Sequence, residues 1–573
     1  MRSASCLRRY ARHFSSSIQR SQLDITKVSL KDVIDQGFSN HSKPFTEDKE
    51  TKITRLSNGL RVASQNKLGS QCAIGVIIKA GPKYEGNFAS GTSHYLEKLG
   101  FHSSDLYADR NSFQEAMENC NSIFDCQVAR DFIVYAVSGF NTNMDKLTHV
   151  LSETVLRAKF TEEEIEMAAK SISFELEALE RSPPVEPIMN ELLHVTAYKN
   201  NTLGLPKYCP KQNLDKINRE DIIKFVAIQF KPENMVIAGV GIEHDALVKS
   251  VEKYFIPTVP NVSYEKAAND LPSPVTTVSE YTGGYYKLER DLSQYHAPMP
   301  EYAHVGIGFE SCSYTDPQFV PACVLHSLLG GGGSFSAGGP GKGMYTRLYL
   351  NILNQHHWVN SAQAENHAYA DTGLFTIIGS SFPTYLDRLV YTLINELHHT
   401  ISSSISHEEL SRAKHQLKSM LLMNLETRAV SFEDIARQVL TSDVKREPDY
   451  WVDQIDKVTE NDLHELLHRM IYRCKPTLVG FGKVDKLPSL EDTVSLLNNE
   501  SYKDKKLKTK YKMSTYPNKV VEKEEEEEEE EEEIHCFVSD GVLWSYRNKM
   551  GLKMLIPTEN VLLLYNGENS TNH

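Results

Sequence analysis

The sequence predicts an α+β protein in which two related halves each combine a mixed sheet with helices. The main observation is a distant internal repeat, because INREDI at 217–222 is echoed by VTENDL at 458–463. Each copy is followed by a Lys-Pro turn and a glycine-containing apolar strand, at 231–240 and 475–482. Since both copies keep the same order of helix, turn and strand, the chain contains one structural unit twice.

Strands open both halves. AIGVII at 73–78 and HVGIGF at 304–309 are short apolar runs, which are typical of buried strands. The Asn58-Gly59 pair between ITRL and LRVAS indicates a hairpin turn before the first of them. A proline-rich stretch at 272–274 is the expected linker between the halves.

The two ends of the chain differ from its body. Residues 1–20 contain five arginines, no acidic residue and a serine-rich middle, the pattern of a mitochondrial transit peptide. The run from Glu522 to Glu533 holds eleven Glu and one Lys, which is typical of a solvated spacer. The predicted divisions are the transit peptide (1–20), the first half (50–270), the second half (280–500), and an acidic spacer with an unassigned extension (515–573).

Composition excludes several classes of protein. The net charge is −14, and −9 remains when the glutamate run and the basic N-terminus are set aside. An acidic body favours basic partners and disfavours nucleic acid. No apolar run is long enough to span a membrane. The nine cysteines are odd in number and form no C-x-x-C pair, so neither a disulfide framework nor a cysteine zinc site is indicated.

One short stretch of the first half, HYLEK, contains His94, Glu97 and Lys98. On a helix, positions 94 and 98 lie one above the other, so histidine at both with Glu inside would form a zinc site with a general base. Lys98 instead offers three protons and no lone pair. Taken alone, a single helix histidine is more often a packed residue than a ligand.

A glycine-rich run, GGGGSFSAGGPGKG at 330–343, interrupts the second half between two apolar segments. Eight glycines in fourteen positions predict neither helix nor strand, because glycine loses the most backbone entropy on ordering. Gly341-Lys342 lacks the following Ser or Thr of a phosphate-binding loop, and no dinucleotide fingerprint fits. We therefore expect a flexible loop that contacts a partner or substrate, held by helices at 321–329 and 344–349.

Over about residues 50–500 the chain resembles the pitrilysin-type metallopeptidases. HYLEK is similar to their inverted zinc motif, and LLHVTAYKNNTLGLPKYCP at 192–210 to the continuation of their first domain. The glycine-rich run most closely resembles that of the non-catalytic subunit in the heterodimeric branch that removes mitochondrial presequences. The resemblance implies two homologous halves arranged as a clam shell, paired with a second such chain around an acidic cavity.

The resemblance also implies roles for single residues. His94 matches the first zinc ligand and Glu97 the general base, while Lys98 stands where the second zinc histidine belongs. The family's third ligand is a glutamate in a long downstream helix, where Glu175 or Glu177 fits. We therefore expect no metal and no catalytic residue in this chain. Lys98 should instead form an ion pair with one of the two glutamates.

The implied function is recognition of substrates for a zinc peptidase whose zinc lies in another subunit. The expected partners are a catalytic beta subunit with an intact H-x-x-E-H motif and arginine-rich presequence peptides. The expected location is the mitochondrial matrix, in solution or peripheral to the inner membrane. The expected substrate-binding residues are Gly330, Gly331, Gly332, Gly333, Ser334, Phe335, Gly338, Gly339, Gly341, Lys342 and Gly343.

Three other functions compete with this one. A structural core subunit of the respiratory cytochrome bc1 complex shares the fold and lacks metal, but the long glycine-rich loop argues against it. A self-sufficient zinc peptidase is opposed by Lys98. A nucleotide-binding enzyme fails on both glycine motifs.

Overall fold

The computed structural model describes residues 50–181, 184–256, 271–292, 301–333 and 344–498, together with the backbone of three strands between 535 and 557. The chain divides into two compact units, 1–501 and 502–573. The expected transit peptide and the glutamate run lie outside the described residues.

Six strands form the sheet of the first half. They are β1 (Lys52–Arg55), β2 (Arg61–Gln65), β3 (Gln71–Ile78), β4 (Ile123–Val128), β5 (Ile133–Phe140) and β6 (Met235–Val240). Their order is β1-β2-β6-β3-β5-β4, and β2 runs parallel to β6 while the other neighbours are antiparallel. The predicted hairpin is β1–β2, whose turn places Gly59 at a φ of 91°.

The first half has its own helices, most of which cover one face of this sheet. They are α1 (Thr92–Lys98), α2 (Arg110–Asn119), α3 (Met144–Leu156), α4 (Glu162–Arg181), α5 (Val185–Ala197), α6 (Arg219–Gln229) and α7 (His244–Phe255). Side chains alternate along β3, so Ile74 and Val76 pack under these helices while Ala73 and Ile77 face the opposite side. All of the helices except α5 contribute to this core.

The second half repeats the plan. Its strands are β7 (Gly284–Glu289), β8 (Ala303–Ser311), β9 (Gly331–Gly333), β10 (Val359–Ala368), β11 (Gly373–Ser381) and β12 (Thr477–Gly482). They lie in the order β7-β12-β8-β11-β10-β9, with β7 parallel to β12. Strands β2-β6-β3-β5-β4 of the first sheet therefore correspond to β7-β12-β8-β11-β10, which confirms the predicted fold class of two related α/β halves.

The helices of the second half also follow the repeat. They are α8 (Phe319–Leu329), a π-helix (Leu348–Leu353), α9 (Leu386–Ser402), α10 (His407–Glu426), α11 (Arg428–Ser442), α12 (Pro448–Lys457), α13 (Glu460–Arg473) and α14 (Leu490–Asn498). The repeated sequence motif begins α6 and α13: Asn218 accepts from the Asp221 N–H (3.0 Å), and Thr459 accepts from the Asp462 N–H (3.4 Å). Short 3₁₀ turns lie at Pro82–Tyr84, Asn141–Asn143, Thr202–Gly204, Lys211–Asn213, Pro232–Asn234 and Pro383–Tyr385.

The two halves exchange one helix each. Helix α5 of the first half packs on the second sheet, and α11 of the second half packs on the first sheet. Equivalent glycines make room for them: a Cβ at Gly75 would lie 2.4 Å from the Phe432 ring, and one at Gly306 would lie 2.9 Å from Leu193. Each half therefore completes the core of the other.

The described part of the C-terminal unit consists of the strands β13 (His535–Ser539), β14 (Val542–Arg547) and β15 (Gly551–Pro557), paired antiparallel in that order. Within the part of the chain that the structure describes, the helices are all too short or too polar to cross a membrane.

Candidate functional site

Helix α1 carries the three side chains that the sequence singled out. It begins after Gly91, whose φ of 109° favours glycine. A Cβ at this position would lie 2.5 Å from Cys209, so a larger residue does not fit. The buried carboxylate of Glu85 accepts hydrogen bonds from the N–H groups of Gly91 (2.8 Å) and Ser93 (2.5 Å). Burial raises the pKa of Glu85 to about 7 against the lowering effect of these bonds. The hydrogen bonds from Glu85 and the contact with Cys209 together hold the N-terminus of α1 in place.

Lys98 Nζ lies 2.7 Å from Glu175 Oε2 and 3.6 Å from Glu97 Oε1. The expected ion pair is confirmed. The partner of Lys98 is Glu175, whereas Glu177 pairs with Arg181 on the surface of α4. Burial by itself would lower the pKa of Lys98. The hydrogen bond to Glu175 and the charge of Glu175 have the larger combined effect, so the pKa of Lys98 lies above its ordinary value. The two side chains are 24% and 33% exposed, so water screens the pair only in part.

His94 makes a second contact with the same carboxylate. The backbone N–H of Cys209 donates to His94 Nδ1 (3.2 Å), which places the ring proton on Nε2, and Nε2 donates to Glu175 Oε2 (3.3 Å). The hydrogen bond from His94 has the largest effect on the pKa of Glu175, which falls to about 2 with a further contribution from Lys98. Tyr208 packs edge-on against the His94 ring at 5.9 Å.

These residues do not fit zinc. A histidine that binds zinc through Nε2 needs its proton on Nδ1, facing an acceptor, whereas Nδ1 of His94 faces the Cys209 N–H donor. The carboxylate of Glu175, which would be the third ligand, is already bound by the Lys98 ammonium. Glu97, the residue in the general-base position, accepts a long bond from the N–H of Val128 in β4 (3.3 Å). The arrangement in this structure is a hydrogen-bonded ion pair, and its donors do not suit zinc.

Part of the glycine-rich run is more ordered than the sequence predicts. Gly331–Gly333 form the edge strand β9, antiparallel to β10, so the expectation that the run contains no strand is wrong there. Gly330 and Gly331 have φ values of 52° and 100°. A Cβ at Gly330 would lie 2.3 Å from Thr346, and one at Gly331 would lie 2.0 Å from the Ala362 carbonyl oxygen. The fold itself therefore requires glycine at these two positions.

The far end of the run is held by its own contacts. The predicted helix at 344–349 is a turn followed by the π-helix, and Leu348 within it is fully buried. Thr346 Oγ1 accepts from the Gly331 N–H (3.0 Å), which ties the two ends of the run together. Arg347 forms a two-bond pair with Glu409 of α10, at 2.6 and 3.0 Å. The intervening residues 334–343, including Phe335 and Lys342, lie outside the described residues.

A cavity of about 570 Å³ lies beside the residues that flank the glycine-rich run. Leu328, Tyr345 and Thr346 form one wall, and a face of α10 that includes Met420 and Met423 forms the other. Tyr345 is 71% exposed and Met423 is 58% exposed. Methionine side chains adapt to different apolar partners, so this surface can accept ligands of varied shape.

Sequence reasoning missed the groups that hold the α1 cluster in place. Tyr208 and Cys209 lie in the segment 192–210 that carried the family resemblance, but a backbone N–H donor to His94 has no sequence signature. Glu85 is an acidic residue shortly before a helix, and this is the one signal that could have identified it as a capping group.

Comparisons with known proteins agree with this description. The family model described as Insulinase (Peptidase family M16) matches residues 61–211, and the one described as Peptidase M16 inactive domain matches residues 216–417. Three similar proteins carry the name mitochondrial-processing peptidase subunit alpha. The Homo sapiens protein is 41% identical over 81% of this chain and 87% of its own length. Those of Caenorhabditis elegans and Neurospora crassa are 36% and 33% identical, over 84% and 75% of this chain and 94% and 84% of theirs.

Proposed function

Because this chain belongs to the insulinase family of M16 peptidases, we propose that it is the non-catalytic subunit of a heterodimeric peptidase that removes presequences from proteins imported into mitochondria. The observation that carries the proposal is its similarity, over most of their length, to relatives named as alpha subunits of the mitochondrial-processing peptidase. The basic, acid-free residues 1–20 support a location in the mitochondrial matrix.

The α1 cluster supports a non-catalytic role. Hydrolysis in a zinc peptidase needs a metal-bound water, and the metal needs lone pairs from its ligands. Lys98 has none while it is protonated, and Glu175 stabilises its protonated form. The zinc and the catalytic base therefore belong to a beta subunit with an intact H-x-x-E-H motif.

The glycine-rich run and the adjacent apolar cavity support a role in substrate recognition. Presequences differ in sequence but share arginines and apolar residues, so their receptor needs an adaptable surface rather than a fixed set of polar contacts. Tyr345 and Met423 provide exposed apolar surface next to the run. The acidic body of the chain provides long-range attraction for arginine-rich peptides.

Reconstitution with the purified catalytic subunit tests the proposal. We expect neither subunit alone to cleave a presequence peptide, and the pair to cleave it. His94→Ala in this chain should leave the activity of the pair within about twofold, whereas loss of the partner's zinc motif should abolish it. Cleavage by this chain alone, or full activity of the partner without it, would refute the proposal.

A further inference from the structure

A second cavity lies in the second half and shares no residue with the α1 cluster or with the cavity beside the glycine-rich run. Its volume is about 410 Å³, within the range of small-molecule sites. It is enclosed by helices α8, α10, α11 and α12. Leu417 and Leu421 line it from α10, while Met420 and Met423 line the other cavity, so α10 separates the two.

The body of this cavity is apolar. Its lining includes Phe319, Val320, Cys323, Leu417, Leu421 and Ile455. The Phe319 ring packs against Tyr314 (5.7 Å) and Trp451 (6.1 Å), which closes one side with aromatic surface. Burial raises the pKa of the Cys323 thiol to about 12, so the thiol stays neutral and adds to the apolar lining. Such a space accommodates a hydrocarbon chain.

The charged residues of the lining are mostly neutralised within the chain. Glu433 pairs with Arg437 at 3.3 Å, and Asp434 pairs with Lys445 at 2.7 Å. Arg446 differs from them, because no carboxylate of the described residues lies within ion-pair distance of its guanidinium. The rim of the cavity therefore carries one guanidinium that no carboxylate of the described residues pairs with.

Arg446 is nevertheless held in place. Its guanidinium stacks over the rings of Tyr450 (5.0 Å) and Trp451 (5.8 Å), and its backbone N–H donates to Gln438 Oε1 (3.0 Å). The residue is exposed, so it lies at the rim while the apolar residues lie deeper. A guanidinium fixed in this way binds a carboxylate through two parallel hydrogen bonds.

We propose that this cavity binds an amphiphile with an unbranched apolar tail and a single carboxylate, of the fatty-acid class. The tail lies between α8 and α10, and the carboxylate pairs with Arg446 at the rim. A single unpaired cation matches one negative charge and would leave a doubly charged phosphate under-neutralised. An uncharged ligand of the same length would gain no charge-assisted hydrogen bonds from the guanidinium.

Binding of decanoate to the full-length chain tests this inference by titration calorimetry. We expect saturable binding that weakens at least about tenfold in Arg446→Gln, with partial retention in Arg446→Lys. Arg181→Gln is the matched control, because Arg181 is an exposed arginine of α4 that pairs with Glu177 and lines neither cavity. That variant should bind decanoate like the wild type.

Two further measurements locate the ligand and its charge. Decanol has the same tail without the carboxylate and should bind at least about tenfold more weakly. A bromine-labelled fatty acid should quench the fluorescence of Trp451, and Trp451→Phe should abolish that quenching. The inference is overturned by the absence of saturable binding, by equal affinity for decanoate in Arg446→Gln, by equal affinity for decanol, or by quenching that persists in Trp451→Phe.

Discussion

Lys98 Nζ and His94 Nε2 converge on one oxygen of Glu175, at 2.7 and 3.3 Å. The two donors lie one turn apart on α1, and the acceptor lies on α4. In the zinc peptidases that this stretch resembles, a metal ion occupies the corresponding space between a histidine pair and a glutamate. Here the Lys98 ammonium supplies a positive charge between the two helices and connects α1 to α4 through Glu175.

The Lys98–Glu175 pair should stabilise the fold. Because both side chains are partly buried, its coupling energy should lie between the values for surface and buried pairs, at about 1–3 kcal/mol. A double-mutant cycle of Lys98→Met and Glu175→Gln, followed by urea unfolding, measures it.

The same helix offers a matched control for that cycle. Lys170 and Glu166 pair at 2.7 Å on the exposed face of α4, and they should couple by less than about 0.5 kcal/mol. Equal coupling energies for the two pairs would show that the cluster under α1 adds nothing beyond an ordinary surface ion pair.

The purified chain should contain no stoichiometric zinc. Lys98→His restores the H-x-x-E-H spacing and should allow zinc binding, but about 10–100-fold more weakly than in a functional site, because the Cys209 N–H opposes the tautomer that His94 needs. Metal analysis of both proteins after dialysis checks this. One tightly held zinc in the wild type, lost in His94→Ala, would contradict it.

Glu175 should make stability depend on pH on the acid side. Its pKa is about 2 in the folded chain against an ordinary 4.5, so the unfolded state binds more protons between these values. Its contribution is therefore complete above about pH 4.5 and is lost as the pH falls towards 2. The difference in unfolding free energy between wild type and Glu175→Gln should shrink over this range. A difference that stays constant from pH 6 to pH 3 would show that Glu175 is not paired.

The glycine-rich run should contribute to substrate binding but not to the fold. Deletion of residues 334–341 leaves β9 in place and should preserve stability and partner binding, since the anchors Leu328 and Leu348 stay buried. Presequence affinity and partner-dependent cleavage should both fall, by about tenfold. Peptide-binding and cleavage assays of the reconstituted pair measure this, and full activity would show that the segment is only a linker.

Gly331→Ala provides the complementary variant. A Cβ there would meet the Ala362 carbonyl oxygen at 2.0 Å, so this change should lower the melting temperature while the deletion does not. Together the two variants separate the structural glycines of the run from those expected to contact substrate.

Local signals allowed much of the fold to be predicted. The apolar runs correctly predicted β3 and β8, and the Asn58-Gly59 pair correctly predicted the first hairpin. The repeated motif forms the capped N-termini of α6 and α13. The exchange of α5 and α11 could not be predicted, because an amphipathic pattern shows that a helix face is buried but not which sheet covers it.

The site was predictable only in part. Helix spacing placed His94 and Lys98 together, but Glu175 and Glu177 lie on different faces of a partly exposed helix, and the choice between them depended on how α4 packs. The β9 strand was missed because pairing with β10 overrides the low strand propensity of glycine.

The exchange of helix α11 has a consequence for how the chain folds. The first sheet is complete once residue 240 has emerged, but the face formed by Ala73, Ile77 and Val236 stays bare until Phe432 and Ile435 arrive. A chain entering an organelle N-terminus first would expose this apolar face during about one third of its passage. Separate expression of the first half should therefore give an aggregation-prone product, and import of the whole chain should depend on chaperones that shield the sheet until α11 is available.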